Sequence, residues 1–185
     1  GQRQYVLDML NDFRMLDCDP SPNPMPGGTV LNYEGPYELF NDITLYQKAI
    51  GKLLYLARAT RPDISACIGI LGQFAHRPLT NHWNAILQVF RYLKGTPDLN
   101  IKFTKTNLDL KVFCDSDWGG DVVDCKSRSG LVLFMGTNPI VWSSIKQDVV
   151  AKSTTEAEYY ALSSAISELL WMKSIMNEFK LIDPT

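Results

Sequence analysis

Two acidic residues stand where their side chains could take part in metal-dependent hydrolysis. Asp115 ends an apolar run that predicts a β-strand, and Glu158 lies near the start of a helical stretch. If that helix packs across the sheet, the two carboxylates can converge, and Mg²⁺ prefers such hard oxygen ligands. Ions held in this way activate water for attack on a phosphodiester. Acidic residues at strand ends and helix starts are common as solvated caps and surface charges, and these two residues alone favour that interpretation.

The elements that position these residues are predicted from a change of periodicity in the second half of the chain. Short apolar runs bounded by turn-forming residues are typical of β-strands. The predicted strands cover residues 99–104, 110–115, 129–136 and 139–144. A turn is predicted at Gly136–Pro139. The last segment opens with Ser153 and Glu156, a capping-box pair, and its apolar spacing predicts a long helix that ends at Asp183–Pro184.

The first half of the chain is predicted to be α-helical. Apolar residues recur at close to helical spacing near the N-terminus, and residues 42–95 contain three further helices, the third capped by Thr80. Between them lies the segment 18–40, where four prolines within seven residues exclude regular structure. We interpret this segment as a connector. Three aromatic residues are expected to dock it: Tyr33, Tyr37 and Phe40.

Composition limits the class of protein. Its 45% hydrophobic and 21% charged residues are typical of a folded chain. No run approaches the ~20 apolar residues of a membrane helix, and the first residues lack signal-peptide features, so a soluble intracellular protein is expected. His76 and His82 lie in no metal motif and are interpreted as packing or surface residues. The cysteines are spaced too widely for a zinc knuckle: Cys18, Cys67, Cys114 and Cys125.

The charge is distributed unevenly along the chain. Residues 1–109 carry 11 Lys and Arg against 10 Asp and Glu, whereas residues 110–185 carry 7 against 10. A domain that depends on phosphate contacts is usually basic. The acidic second half instead suits a site that gathers carboxylates around a cation.

Longer motifs resemble a known family. We find a resemblance to the first part of the ribonuclease H domain of copia-type LTR retrotransposon Pol polyproteins in FCDSDWGGD, KSRSGLVLFMG and VWSSIKQDVVAKSTTEAEYYALSSAISELLWM. Two motifs resemble the segment that follows the polymerase palm in these polyproteins: TLYQKAIGKLLYLARATRPDI and HWNAILQVFRYLKGT. A third motif resembles the end of the palm: YVLDMLNDFRMLDCDPSPNPM. The motifs cover nearly the whole chain in the family's order.

The resemblance implies an α+β chain of two lobes. Residues 1–97 would be the tail of a reverse transcriptase, a helical lobe like a thumb or connection. Residues 98–185 would be an incomplete ribonuclease H-like lobe with a three-stranded antiparallel sheet and a long helix. In the family a further strand follows that helix and brings another aspartate, and this sequence ends before it. The polymerase site is expected upstream of residue 1, and part of the nuclease site downstream of residue 185.

The resemblance also implies roles for individual residues. Asp115 matches the first metal-binding aspartate, and Glu158, rather than Glu156, matches the helix glutamate. Together they would hold Mg²⁺, with Mn²⁺ as a substitute. Three other acidic residues would orient the neighbouring hairpin: Asp117, Asp121 and Asp124.

In the parent enzymes the helices after the palm grip the primer–template. Four basic residues here are candidate phosphate contacts: Arg61, Arg77, Arg91 and Lys94. A solvated helix face explains the same four residues equally well. Trp83 and Tyr92 could lie against sugars, but their helical spacing is more typical of a core.

The implied function is hydrolysis of the RNA strand of an RNA–DNA hybrid during reverse transcription. Two of about four ligands lie outside the sequence, so the chain alone is expected to be inactive or weakly active. The alternative is a non-catalytic remnant that binds nucleic acid or protein. In a third reading the exposed sheet edge pairs with another chain in an oligomer. The resemblance implies a cytoplasmic location, in the virus-like particle of the element, with the nucleus as an alternative.

Overall fold

Residues 1–181 are those that the computed structural model describes, and they form five α-helices and three β-strands. The fold is therefore α+β, as predicted. The chain divides into two units, Gly1–Ile101 and Lys102–Thr185. The prediction placed this division after residue 97.

The first unit is a bundle of four helices. They are α1 (Arg3–Asp12), α2 (Ile43–Ala59), α3 (Ser65–Leu71) and α4 (Thr80–Gly95), and single 3₁₀ turns at Pro62–Ile64 and Gly72–Phe74 flank α3. Each helix repeats apolar residues at intervals of three or four, so each has one face that packs inward. Met9, Leu53, Ile68 and Phe90, one from each helix, are fully buried in a common core.

Two helix starts in this unit differ in chemistry. At α2 the carboxylate of Asp42 accepts a hydrogen bond from Leu45 N at 2.8 Å. At α4 the predicted Thr80 cap is wrong, because Thr80 is the first residue of the helix and its N–H donates to Glu38 O at 2.9 Å. The N–H of Leu79 instead donates to Nδ1 of His82 at 3.0 Å. A buried imidazole thus accepts the N–H of the N-cap residue, whereas the predicted hydroxyl would have accepted an N–H from the first turn.

The proline-rich connector docks on α4, as its aromatic residues indicated. Phe40 stacks on Trp83 with ring centroids 4.7 Å apart, and Tyr33 lies edge-on to Phe74 at 5.2 Å. Ser21 N donates to the carbonyl of Arg91 at 3.1 Å. Tyr37 remains about half exposed. Ring packing and backbone hydrogen bonds therefore hold the connector without regular structure.

The buried His82 should make the first unit sensitive to acid. Its Nδ1 accepts from Leu79, so Nε2 carries the proton and donates to Asn32 O at 2.9 Å. Burial lowers the pKa of His82, and the bond to Asn32 only partly offsets this. The unfolded chain therefore binds a proton more readily than the folded one below about pH 6.5. The contribution of His82 to the free energy of unfolding is therefore fully present above that pH and is lost as the pH falls.

We expect the free energy of unfolding to decrease between pH 7 and pH 5, at most by about 1.4 kcal/mol per pH unit for one proton. Chemical denaturation at several pH values measures this slope. His82→Gln should flatten it, whereas the exposed His76→Gln should not. These are the two histidines of the chain, so an equal slope in the His82→Gln variant would assign the acid sensitivity to other groups.

The second unit contains a three-stranded antiparallel sheet. Its strands are β1 (Leu110–Asp117), β2 (Arg128–Met135) and β3 (Asn138–Lys146), in the order β1-β2-β3. The strand predicted at 99–104 is wrong. Residues 102–109 run without a ladder partner, and Thr104 N donates to the side chain of Asn138 at 2.8 Å. Side-chain pairing replaces strand pairing there.

Helix α5 (Thr154–Glu178) packs against β1 and β2. As predicted, Ser153 caps it, because its Oγ accepts from Glu156 N at 3.1 Å. Three alanines at intervals of four allow the close approach to the sheet, and all are buried: Ala157, Ala161 and Ala165. Helix α5 ends at Glu178, before the predicted stop at Asp183–Pro184, which lies outside the described residues.

Among the helices of residues 1–181, none combines the length and apolarity that would let it cross a membrane.

Candidate functional site

Asp115 lies on the sheet face that α5 leaves uncovered. Its neighbour across the ladder in β2 is Gly130, and its side chain is exposed. The preceding residue, Cys114, pairs with the buried Leu131 and lines a depression together with residues of α5. Successive residues of a strand point to opposite faces. Asp115 therefore points away from α5, towards solvent.

Glu158 lies in the second turn of α5 and is exposed. It lines the depression beside β1 with Cys114, Tyr159 and Leu162. Glu156, the alternative to Glu158 as the helix glutamate, has a different role. Its carboxylate accepts a hydrogen bond from the N–H of Lys152, just before the helix, at 2.6 Å. Glu156 thus belongs to the cap of α5, and Glu158 is the carboxylate with access to β1.

The two candidate ligands approach β1 from opposite faces. The structure brings Glu158 next to Cys114, whereas Asp115 points to the other side of the same strand. The structure therefore does not bring the two carboxylates together on one face of the sheet, as the sequence analysis expected. Within residues 1–181 no cluster of three or more His, Cys, Asp or Glu side chains could hold a metal ion.

Two carboxylates nevertheless fit the usual coordination of Mg²⁺. That ion is commonly held by one or two carboxylates, with water and substrate phosphate oxygens as its other ligands. Asp115 and Glu158 are both exposed and so remain open to such ligands. The donor set of this chain therefore suits a cation that binds together with a phosphodiester.

The other acidic residues serve the loop between β1 and β2. Lys146 forms ion pairs with Asp121 and Asp124, each at 2.8 Å. Partial burial disfavours the charged amine, but hydrogen bonds to the two carboxylates raise the pKa of Lys146 overall. Asp117 lies across the ladder from Arg128. These contacts agree with the predicted role in orienting the hairpin.

In the folded first unit the side chain of Arg61 is buried, so it cannot contact a phosphate. The residue is 1% exposed. Its guanidinium pairs with Asp63 at 2.7 Å and donates to the carbonyl of Thr96 at 2.9 Å, and it lies over the ring of Tyr92. Tyr92 in turn donates its hydroxyl to Asp63 at 2.7 Å. The structure therefore corrects the phosphate-contact assignment of Arg61 to a structural role.

The other three basic residues lie at two separate places. Arg77 is exposed just before α4, and Arg91 is exposed in its C-terminal part. Lys94 is half-buried three residues further on, so it shares a face with Arg91. Helix α4 lies between the two places, and 16 residues of helix span roughly 24 Å. Arg91 and Lys94 therefore lie close together, and Arg77 lies about one helix length away from them.

Gln147 positions the site but was missed from the sequence. It is buried, and its Nε2 donates to Ser129 Oγ at 2.9 Å and to the carbonyl of Ala157 at 3.0 Å. Ser116 Oγ in β1 lies 3.2 Å from the same nitrogen and shares one of its two hydrogens with another acceptor. One amide therefore ties two strands to the helix that carries Glu158. A single polar residue after a strand gives no sequence signal of such a role.

Comparison with known proteins identifies the family. The chain is 43% identical over 179 residues to the retrovirus-related Pol polyprotein from transposon RE2 of Arabidopsis thaliana, which covers 96% of this chain and 12% of that polyprotein. It is 37% identical over 172 residues to the uncharacterized mitochondrial protein AtMg00810 of the same plant, covering 92% of this chain and 70% of that protein. The chain belongs to the family of retrovirus-related Pol polyproteins from copia-type transposons.

A shorter relative matches this Pol segment as well. The secreted RxLR effector protein 161 of Plasmopara viticola is 41% identical over 128 residues, which are 69% of the segment and 90% of that protein. No family model and no solved structure matches the segment. The segment spans about an eighth of the RE2 polyprotein, and it shares most of its length with much shorter relatives.

Proposed function

We propose that this Pol segment contributes to a ribonuclease that cleaves the RNA strand of RNA–DNA hybrids during reverse transcription. The observation that carries the proposal is that Asp115 on β1 and Glu158 on α5, the two residues that match the family's motif, are both exposed. Membership of the Pol family supports the substrate class. The full activity would belong to the larger polyprotein.

In this proposal the two carboxylates hold a cation and the segment's other groups hold the site in shape. A bound Mg²⁺ would activate water and stabilise the leaving oxygen of a phosphodiester. Asp115 supplies its oxygen from a β-strand and Glu158 from a capped helix. Gln147 keeps that helix seated on the sheet through its bonds to Ser129 and Ala157. Rigid elements with fixed spacing are what a metal site requires.

Cleavage of a labelled RNA–DNA hybrid, with Mg²⁺ or Mn²⁺, tests the proposal. We expect slow, metal-dependent cleavage that Asp115→Asn and Glu158→Gln each reduce by more than about 100-fold, because each removes a ligand charge. Glu156→Gln is the matched control two residues away in the same helix, and it should retain most of the activity. Cleavage that persists in both site variants would contradict the assignment.

A second candidate function is a protein-interaction module without catalysis. Large apolar side chains on α5 favour it, because Tyr159, Ile166 and Leu170 are each well exposed. If the chain binds an RNA–DNA hybrid but does not cleave it with Mg²⁺ or Mn²⁺, a non-catalytic module that binds nucleic acid would be favoured. A location in the cytoplasm, within the particle of the element, would suit both candidates.

A further inference from the structure

A pocket of about 350 Å³ lies between the proline-rich connector and helix α4. This volume is at the lower end of the usual range for small-ligand sites. The connector is attached to both ends of the helix. Ser21 N donates to the carbonyl of Arg91 near the helix end, and Thr80 N at the helix start donates to the carbonyl of Glu38. The pocket lies between these two attachments, and the first unit supplies both of its walls.

The two walls of the pocket differ in chemistry. The connector supplies apolar groups, among them Met25, Val30 and the ring of Tyr37. Helix α4 supplies three amides at intervals of three and four residues, which place them on one face of the helix: Asn81, Asn84 and Gln88. None of the described residues that line the pocket carries a charge. A ligand is therefore expected to be neutral where it meets these walls.

The amides keep hydrogen-bonding capacity for a ligand. Asn84 is exposed, and among the described residues its side chain has no hydrogen-bond partner. Asn81 Oδ1 accepts from His82 N at 2.9 Å, which leaves the amide nitrogen as a donor. Gln88 Nε2 donates to Ser21 Oγ at 2.6 Å, which leaves the carbonyl oxygen as an acceptor. Donors and acceptors therefore lie side by side on one wall of the pocket.

A nucleobase matches this combination of walls. The edge of a base carries donors and acceptors next to each other, and an Asn or Gln amide pairs with adenine through two hydrogen bonds at N6 and N7. The flat faces of unpaired bases pack against aromatic and other apolar side chains. The ring of Tyr37 and the neighbouring apolar groups of the connector offer such a surface.

Arg91 supplies a positive charge next to the pocket. It lies three residues after Gln88 and seven after Asn84, so it continues the face that carries the amides, and its side chain is exposed. A phosphate attached to the bound nucleoside would find its cation there. A neutral peptide would also match the amides, but it would give Arg91 no partner. The charge therefore favours a nucleotide over a peptide.

We propose that this pocket, which we call the connector pocket, binds an unpaired nucleobase of a single nucleic-acid strand. Asn84 and Gln88 bind the edge of the base, Tyr37 lies against it, and Arg91 holds a neighbouring phosphate. This site is separate from the proposed nuclease, because it requires neither a metal ion nor the carboxylates of the second unit.

Fluorescence anisotropy with the whole chain and two labelled strands tests the connector pocket. One strand consists of stable abasic nucleotides, and the other differs only by a single central adenine, so both carry the same phosphate charge. Without divalent cations, wild type should bind the adenine strand at least about tenfold more tightly. Asn84→Leu should abolish this preference, because leucine offers neither donor nor acceptor. Asn11→Leu, at an exposed amide of α1, is the matched control and should retain it.

The abasic strand also separates the two parts of the site. Asn84→Leu should bind that strand as wild type does, which shows that the variant is folded. Arg91→Met should weaken the binding of both strands alike, because it removes a phosphate contact and leaves the amides in place. Equal binding of the two strands by wild type overturns the proposal and favours a neutral peptide as the occupant. A preference for adenine that Asn84→Leu retains in full overturns it as well.

Discussion

Replacing Arg61 by Met is expected to lower the free energy of unfolding of the first unit by about 3 kcal/mol. The guanidinium is buried and bonds to Asp63 and to the carbonyl of Thr96. Methionine fills a similar volume without any donor. The variant would leave a carboxylate and a carbonyl without their partners, and such loss costs more than the intact pair contributes. Urea denaturation followed by far-ultraviolet circular dichroism measures the change.

Arg91→Met is the matched control for this prediction. Arg91 is exposed on α4, so its removal should change stability by less than about 0.5 kcal/mol. If Arg91 contacts phosphate, that variant should weaken hybrid binding and reduce its salt dependence. The two arginines thus separate stability from binding. Equal stability of Arg61→Met and wild type would contradict the structural role of Arg61.

The Arg61 effect should also depend on pH. Burial alone would disfavour the Asp63 carboxylate, but hydrogen bonds from Arg61 and Tyr92 lower its pKa below the ordinary value. A lowered folded-state pKa stabilises the fold above the unfolded value, and this contribution is lost as the pH falls through the folded value. The advantage of wild type over Arg61→Met should therefore shrink below about pH 4.

Gly136→Ala is expected to destabilise the second unit by about 3 kcal/mol. Gly136 is the first of two turn residues between β2 and β3 and has a φ of +59°, the pattern of a type II′ hairpin. A Cβ at this position would lie 2.6 Å from the carbonyl oxygen of Asn107 and would overlap Thr106. Backbone strain and a clash with main chain therefore add. Thermal unfolding measures the loss.

The control for this turn lies within β2. A Cβ on Gly130 would meet nothing within 4 Å, and that residue has no positive φ. Gly130→Ala should therefore leave the melting temperature unchanged or raise it, because alanine restricts the unfolded chain more than glycine does. If both variants melted alike, the steric role of Gly136 would be excluded.

Local chemistry made α5 predictable. A serine followed three residues later by glutamate marks a helix start, and Ser153 does accept from Glu156 N. The same reasoning failed at Thr80, because α4 begins one residue earlier than the cap prediction required: Leu79 is the N-cap, and its N–H donates to His82. It failed again at 99–104, since a strand needs a partner that sequence spacing cannot supply.

Long-range contacts explain what the sequence could not indicate about the site. From the sequence alone Arg61 cannot be distinguished from a surface cation, because the carbonyl that accepts its hydrogen bond belongs to Thr96, 35 residues away. Alternation along β1 assigns Asp115 to a face only when the face covered by α5 is known. The buried alanines of α5 show which side of that helix packs against the sheet. Motif resemblance selected the two carboxylates as candidates, whereas their placement on opposite faces of the sheet could not be predicted from it.

Locating a bound cation tests the roles of Asp115 and Glu158 most directly. Amide NMR spectra of the chain, recorded with an RNA–DNA hybrid and substoichiometric Mn²⁺, reveal which residues lie near the ion through paramagnetic broadening. We predict broadening at Asp115 and Glu158 together. Asp115→Asn or Glu158→Gln should each abolish the broadening at both positions. Broadening that stays around the ion pairs of Lys146 with Asp121 and Asp124, with none at Glu158, would contradict this prediction.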